Sequence, residues 1–71
     1  MYYWHVMNTD TGEIDTSETS YRSQKKAIEA AKDVLEEFSS GFYPIKGTVE
    51  IYDNKLFEGE PVRSIDVMIY G

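Results

Sequence analysis

The chain has 71 residues, no cysteine and one histidine, with 13 acidic residues against 7 basic ones and a net charge of -6. That length allows one domain, spanning 1–71, with a small core that buries only about 60 % of the surface its unfolded form exposes. The missing cysteines exclude a disulfide framework and a thiolate zinc site, one histidine is too few for a histidine-based metal site, and no stretch nears the roughly 20 apolar residues of a membrane span.

The opening residues alternate, with Tyr2, Trp4 and Val6 on one face and Tyr3, His5 and Met7 on the other, as a strand requires. They follow Met1 without a basic flank or apolar run, so no signal peptide is read, and the lack of disulfides suits a reducing cytosol. Asn8 through Gly12 collects turn formers. A second strand is expected from about Glu13 to Thr19, making residues 2–20 a hairpin. Ala27, Ile28, Ala31, Val34, Leu35 and Phe38 then recur at three- and four-residue intervals and predict a helix from about Ser23 to Ser39. Ser23 suits the N-cap and Gly41 the stop. Residues 46–53 alternate again, setting Gly47, Val49 and Ile51 against Thr48, Glu50 and Tyr52. A turn-rich connection through Asp53-Asn54-Lys55 and Glu58-Gly59-Glu60-Pro61 leads to a last strand with Ile65, Val67 and Ile69 on one face. The order is ββαββ, an α+β fold with a four-stranded antiparallel sheet and one helix packed on one face.

The candidate chemistry is sparse. His5 has no serine, cysteine or carboxylate at a catalytic spacing and reads as a structural residue of an aromatic strand. Asp10, Glu13 and Asp15 do not meet the spacing of a calcium loop. The glycines are scattered and form no phosphate-binding loop. No residues fill the roles of nucleophile, base and orienting group, so an enzyme is not expected, nor a cofactor or metal.

Charge is patterned along the chain: the first hairpin carries -4, the helix start +3, the helix end -3 and the remainder -2. Arg22, Lys25, Lys26 and Lys32 form the basic cluster, which reads as a solvated helix face with Lys25–Glu29 and Lys32–Glu36 pairs. Lysines at the start of the helix and Asp33, Glu36 and Glu37 toward its end oppose the macrodipole, at a cost of about 0.3–1 kcal/mol for each charge near a terminus. Helix stability favours the reverse order, so a partner that wants carboxylates there is one reason to keep them.

A sheet covered by one helix leaves its second face open. Tyr52, Met68 and Tyr70 fall there, joined by Tyr2 and Trp4 or by Tyr3 and His5 according to register. Such an aromatic face suggests self-association or docking. Direct binding of nucleic acid is disfavoured, because phosphates are neutralised by lysine and arginine and the surplus here has the opposite sign. Imitation of nucleic acid is the better reading. Alternate strand residues lie about 7 Å apart on one face, so carboxylates such as Glu13 and Asp15 can occupy sites that a basic groove offers to phosphates. A dimer through the open face would double the acidic surface.

Glu13, Asp15 and Glu18 on a strand, Asp33, Glu36 and Glu37 on the helix, and Glu50, Asp53, Glu58 and Glu60 around the second hairpin resemble the small acidic phage host-takeover proteins, above all those that mimic DNA and occupy the DNA-binding region of the bacterial nucleoid-associated protein HU. The run Ala27-Ile28-Glu29-Ala30-Ala31 after a hairpin, with a terminal Tyr70-Gly71, is also similar to small uncharacterised bacterial ββαββ proteins. The first resemblance implies a non-enzymatic inhibitor in the bacterial cytoplasm, with Asp10 joining those acids as partner contacts and HU as the expected partner. The basic cluster from Arg22 to Lys32 departs from a uniformly acidic mimic. The rival expectation is an acidic homodimeric module that docks a partner other than a DNA-binding protein through Tyr52, Met68 and Tyr70.

Overall fold

The computed structural model describes residues 1–38 and 43–70. Its elements are β1 (Tyr3–Asn8), β2 (Ile14–Thr16), α1 (Gln24–Glu37), β3 (Ile45–Tyr52) and β4 (Arg63–Ile69). The strands form one antiparallel sheet in the order β2-β1-β3-β4, and α1 packs on one of its faces. This is the ββαββ, α+β architecture read from the sequence. Among the described residues no helix is long and apolar enough to cross a membrane.

Alternation decides which strands lie at the centre. In β1 every second residue is buried, Trp4, Val6 and Asn8, and in β3 the same holds for Ile45, Gly47, Val49 and Ile51. The register sets Trp4 opposite Ile51 and Val6 opposite Val49, so one continuous apolar floor forms beneath the helix. Ala27, Ala31 and Leu35 are the fully buried stripe of α1 that meets this floor. Burying each large aliphatic side chain removes it from water at a gain of about 1.5–3 kcal/mol. Ile65, Val67 and Ile69 of β4 pack against the edge of the same core but stay half-buried, because α1 lies mainly over β1 and β3.

Gly47 shows how close the two layers come. A Cβ placed on it would stand 2.5 Å from Leu35 Cδ2 and 2.7 Å from the Met7 carbonyl oxygen. Only a residue without a side chain lets Leu35 seat itself there. At the other end of the helix Ser23 is extended and its Oγ accepts the Lys26 N–H at 3.1 Å, the expected N-cap. The helix closes at Phe38, whose N–H donates to the Val34 carbonyl at 3.0 Å. Ser39 and Gly41, expected as its last residue and its stop, lie outside the described residues.

The second strand is shorter than expected, three exposed residues in place of Glu13–Thr19. The cause is a side chain. Ser17 is buried, and its Oγ accepts the Trp4 N–H at 3.0 Å while its own N–H donates to the Trp4 carbonyl at 2.9 Å. A hydroxyl thus replaces the main-chain carbonyl that regular pairing needs, and the ladder stops. The chain stays beside β1 all the same, since Tyr2 and Tyr21 exchange both main-chain bonds at 2.8 Å.

Candidate functional site

The direction of α1 determines where the acidic residues gather. Its start follows Tyr21, which is bonded to Tyr2 at the beginning of β1. Its last turns bring Leu35 over Gly47, the partner of Asn8 at the end of β1. The helix C-terminal end and the β1–β2 turn therefore share one end of the sheet. Asp10 and Glu13 of the turn come to the same end as Asp33, Glu36 and Glu37, although some twenty positions separate them in sequence, and all five are exposed.

The turn that holds Asp10 and Glu13 is built on Asn8. Its buried side-chain oxygen accepts the N–H groups of Asp10 and Thr11 at 2.9 and 3.1 Å, and its carbonyl accepts the Gly12 N–H. Gly12 takes a φ of 77°, which an L side chain rarely adopts. This fixed loop points its acids outward. The 100° step per residue places Asp33 and Glu37 on the flank of α1 that carries Ala30 and Val34, toward β2, where Asp15 stands opposite Val6 on the same face of the sheet. Among the described residues the bases at this end are Lys46, which faces the open side of the sheet, and Lys32, on the β4 flank of the helix. No basic residue occupies the last turn of α1.

The other expected acids go elsewhere. Glu18 follows Ser17 near the start of β1, while Asp53, Glu58 and Glu60 sit in the β3–β4 connection at the end of the sheet opposite Asp10. Glu50 leaves the acidic surface altogether: its Oε1 lies 3.5 Å from His5 Nδ1 on the open face, with the two side chains 32 % and 26 % exposed. That is an ion-pair separation, too long for a strong hydrogen bond. The alternation alone did not reveal this pairing, because it depends on β1 and β3 being neighbours.

The register settles the open face in favour of Tyr3 and His5. Read across the strands, it carries Tyr3 and Tyr52 in one row, then Thr16, His5, Glu50 and Ser64, then Ile14, Met7, Thr48 and Asp66, and finally Lys46 and Met68. The second of these rows is wholly polar, and in the third Thr48 donates to Asp66 at 3.2 Å. Tyr52, Met68 and Tyr70 all lie on this side as expected, but they are not one patch. Tyr52 is half-covered by Phe57, whose ring meets it edge-on at 5.3 Å and Tyr3 at 6.2 Å. Met68 and Tyr70 are exposed at the far end, where the Tyr70 hydroxyl donates to the Met68 sulfur.

Phe57 gave no periodic signal, since it sits in an irregular connection. It is held at φ 54°, a left-handed conformation costly for an aromatic residue. The Asn54 side chain fixes the loop by accepting the Glu58 N–H at 2.9 Å and donating to the Glu58 carbonyl at 3.0 Å. The loop thereby folds an aromatic lid onto the Tyr3–Tyr52 row of the open face.

Two of the helix bases lie away from the acidic end, whereas Lys26, seven residues before Asp33, shares the acidic flank at its start. Lys25 and Lys32 project from the opposite flank of α1 and line a cleft with Ile28, Glu29 and Arg63. Among the described residues no group of three or more histidine, cysteine or carboxylate side chains is placed to hold a metal ion. No family model, curated protein or solved structure matches the chain.

Proposed function

We propose that this protein is a non-enzymatic mimic of DNA that binds the basic DNA-binding surface of a bacterial nucleoid-associated protein, HU being the expected partner, and competes with DNA there. One observation carries the reading: Asp10, Glu13, Asp33, Glu36 and Glu37, from two separate segments, converge at one end of the sheet. Asp15 extends that surface along β2. Carboxylates from a rigid turn, a strand and a helix end present several fixed negative charges at once, as a nucleic-acid backbone does. Duplex DNA carries one charge per about 1.7 Å of axis, so a net charge of -6 imitates only a short segment. Charge complementarity mainly accelerates encounter and selects the partner, while apolar contacts around the rim slow release. The open face, mixed in polarity and capped by Phe57 at its Tyr3–Tyr52 end, favours this acidic surface over a homodimer through Tyr52, Met68 and Tyr70. The action belongs in the bacterial cytoplasm, in the manner of small phage proteins that disable a host protein.

A mobility-shift titration of HU-bound DNA tests the proposal. The expected result is release of free DNA as this protein approaches stoichiometry with HU at low salt, with the effect fading as salt rises. DNA that stays fully shifted in excess of this protein at low salt would overturn it. An Asp33→Lys/Glu37→Lys double variant should lose most of the competition while remaining folded.

A further inference from the structure

The two edges of the sheet are unlike. On one side β2 is three residues long, carries Asp15 and stops before Ser17, so it offers little backbone for another strand. On the other side β4 runs for seven residues, and among the described residues its outer edge has no strand neighbour. Edge strands are commonly protected by charge, proline or bulges, because unpaired N–H and C=O groups invite a further strand. Between Ser64 and Tyr70 the only charge is Asp66, which points to the open face and is engaged by Thr48.

Beside this edge the helix leaves a trough. Its floor is the half-buried side of β4, Ile65, Val67 and Ile69, and an open cleft of about 680 Å³ runs along the strand as far as Tyr70, lined from both of its faces, with Asp66 and Met68 on the open side. Lys32 borders it and also borders a second cleft of about 370 Å³ beside Lys25, Ile28 and Arg63. Glu29 is the one acid lining the second cleft, against three cations. In a chain of net charge -6, this is where the local sign reverses.

We propose that the outer edge of β4 binds an extended acidic peptide as a fifth strand, with its alternate apolar side chains in the trough and its carboxylates against Lys25, Lys32 and Arg63. Strand addition draws affinity from main-chain hydrogen bonds and specificity from alternate side-chain pockets, and both elements are present here. The local charge selects an acidic strand over a basic one, and against a second copy of this chain, whose β4 offers Arg63 and Asp66 in place of flanking carboxylates. This site is separate from the acidic surface proposed above, on the opposite flank of α1.

The probe is an acetylated, amidated, fluorescein-labelled peptide Glu-Thr-Val-Thr-Val-Thr-Glu, which reads the same in both directions and so serves parallel or antiparallel pairing. It should bind the full chain at least tenfold more tightly at low salt than the version with lysine at both ends. N-methylation of every second amide should abolish binding in one frame and spare it in the other. Amide exchange should slow in Arg63–Ile69 on binding. Arg63→Glu and Lys25→Glu, both surface changes, should each weaken the acidic peptide about tenfold. The proposal is overturned if both peptides bind equally, if neither binds, if both N-methyl frames bind alike, or if the protected amides lie elsewhere. It is also overturned if β4 amides of the free protein become protected as its concentration rises, which would identify the occupant as a second copy.

Discussion

The two flanks of α1 rest on one core yet are finished in different ways. On the β2 flank, side chains do the work of the backbone: Asn8 closes the turn, Ser17 takes the Trp4 N–H, and the strand between them is short and wholly exposed. On the β4 flank a long regular ladder joins β3 to β4 and then stops at an unpaired edge. The first flank offers little edge for further pairing and carries Asp15, Asp33 and Glu37, with Lys26 at its start. The second is open and lined by bases.

The largest expected effect erases that contrast. Gly47→Ala puts a methyl group into Leu35 and the Met7 carbonyl, and it should lift the helix from the sheet over both flanks at once. A loss of about 1–3 kcal/mol is expected from such overpacking, read by urea denaturation. Amide protection should fall on β2 and β4 together; loss on one side alone would show that the flanks do not share the core.

Asn8→Ala sharpens the contrast instead. It removes the acceptor for the Asp10 and Thr11 N–H groups and should cost about 1–2 kcal/mol, within the range for losing a capping side chain. Hydrogen exchange should quicken in the β1–β2 turn and leave Arg63–Ile69 unchanged. Equal acceleration in β4 would refute the claim that the turn is a local device.

The smallest effect has the opposite sign. Glu37→Lys sets a cation in a last helical turn that now has none, and should stabilise the helix by about 0.3–1 kcal/mol. It should weaken competition for HU at the same time. A variant more stable to heat and poorer as an inhibitor would show a charge held in place for a partner; improvement in both measurements would remove Glu37 from the binding surface.

What the sequence disclosed follows physical range. The helix face, its Ser23 cap and the period-two strands are local patterns, and they reappear with small shifts at their ends. The shortening of β2 was not legible, because it rests on Ser17 meeting Trp4 across thirteen positions. Strand order was equally hidden, since either strand of the first hairpin has residues able to sit beside β3. That order decided the rest: it chose Tyr3 and His5 for the open face, joined His5 to Glu50, and drew the two acidic segments to one end. Charge along the chain named those segments separately, and only the register of Gly47 with Asn8 beneath Leu35 makes them neighbours.

The central position of β1 and β3 also governs the route to the folded state. Tyr3 pairs with Tyr52, so the middle of the sheet closes only when remote parts of the chain meet, whereas the first hairpin and the helix are assembled from nearby residues. Contacts of that separation slow the search. During synthesis, Trp4 and Val6 must wait without a floor until the third strand has been made. The core therefore closes only once β3 has been made, and β4, which follows it, is the strand whose outer edge has no neighbour among the described residues.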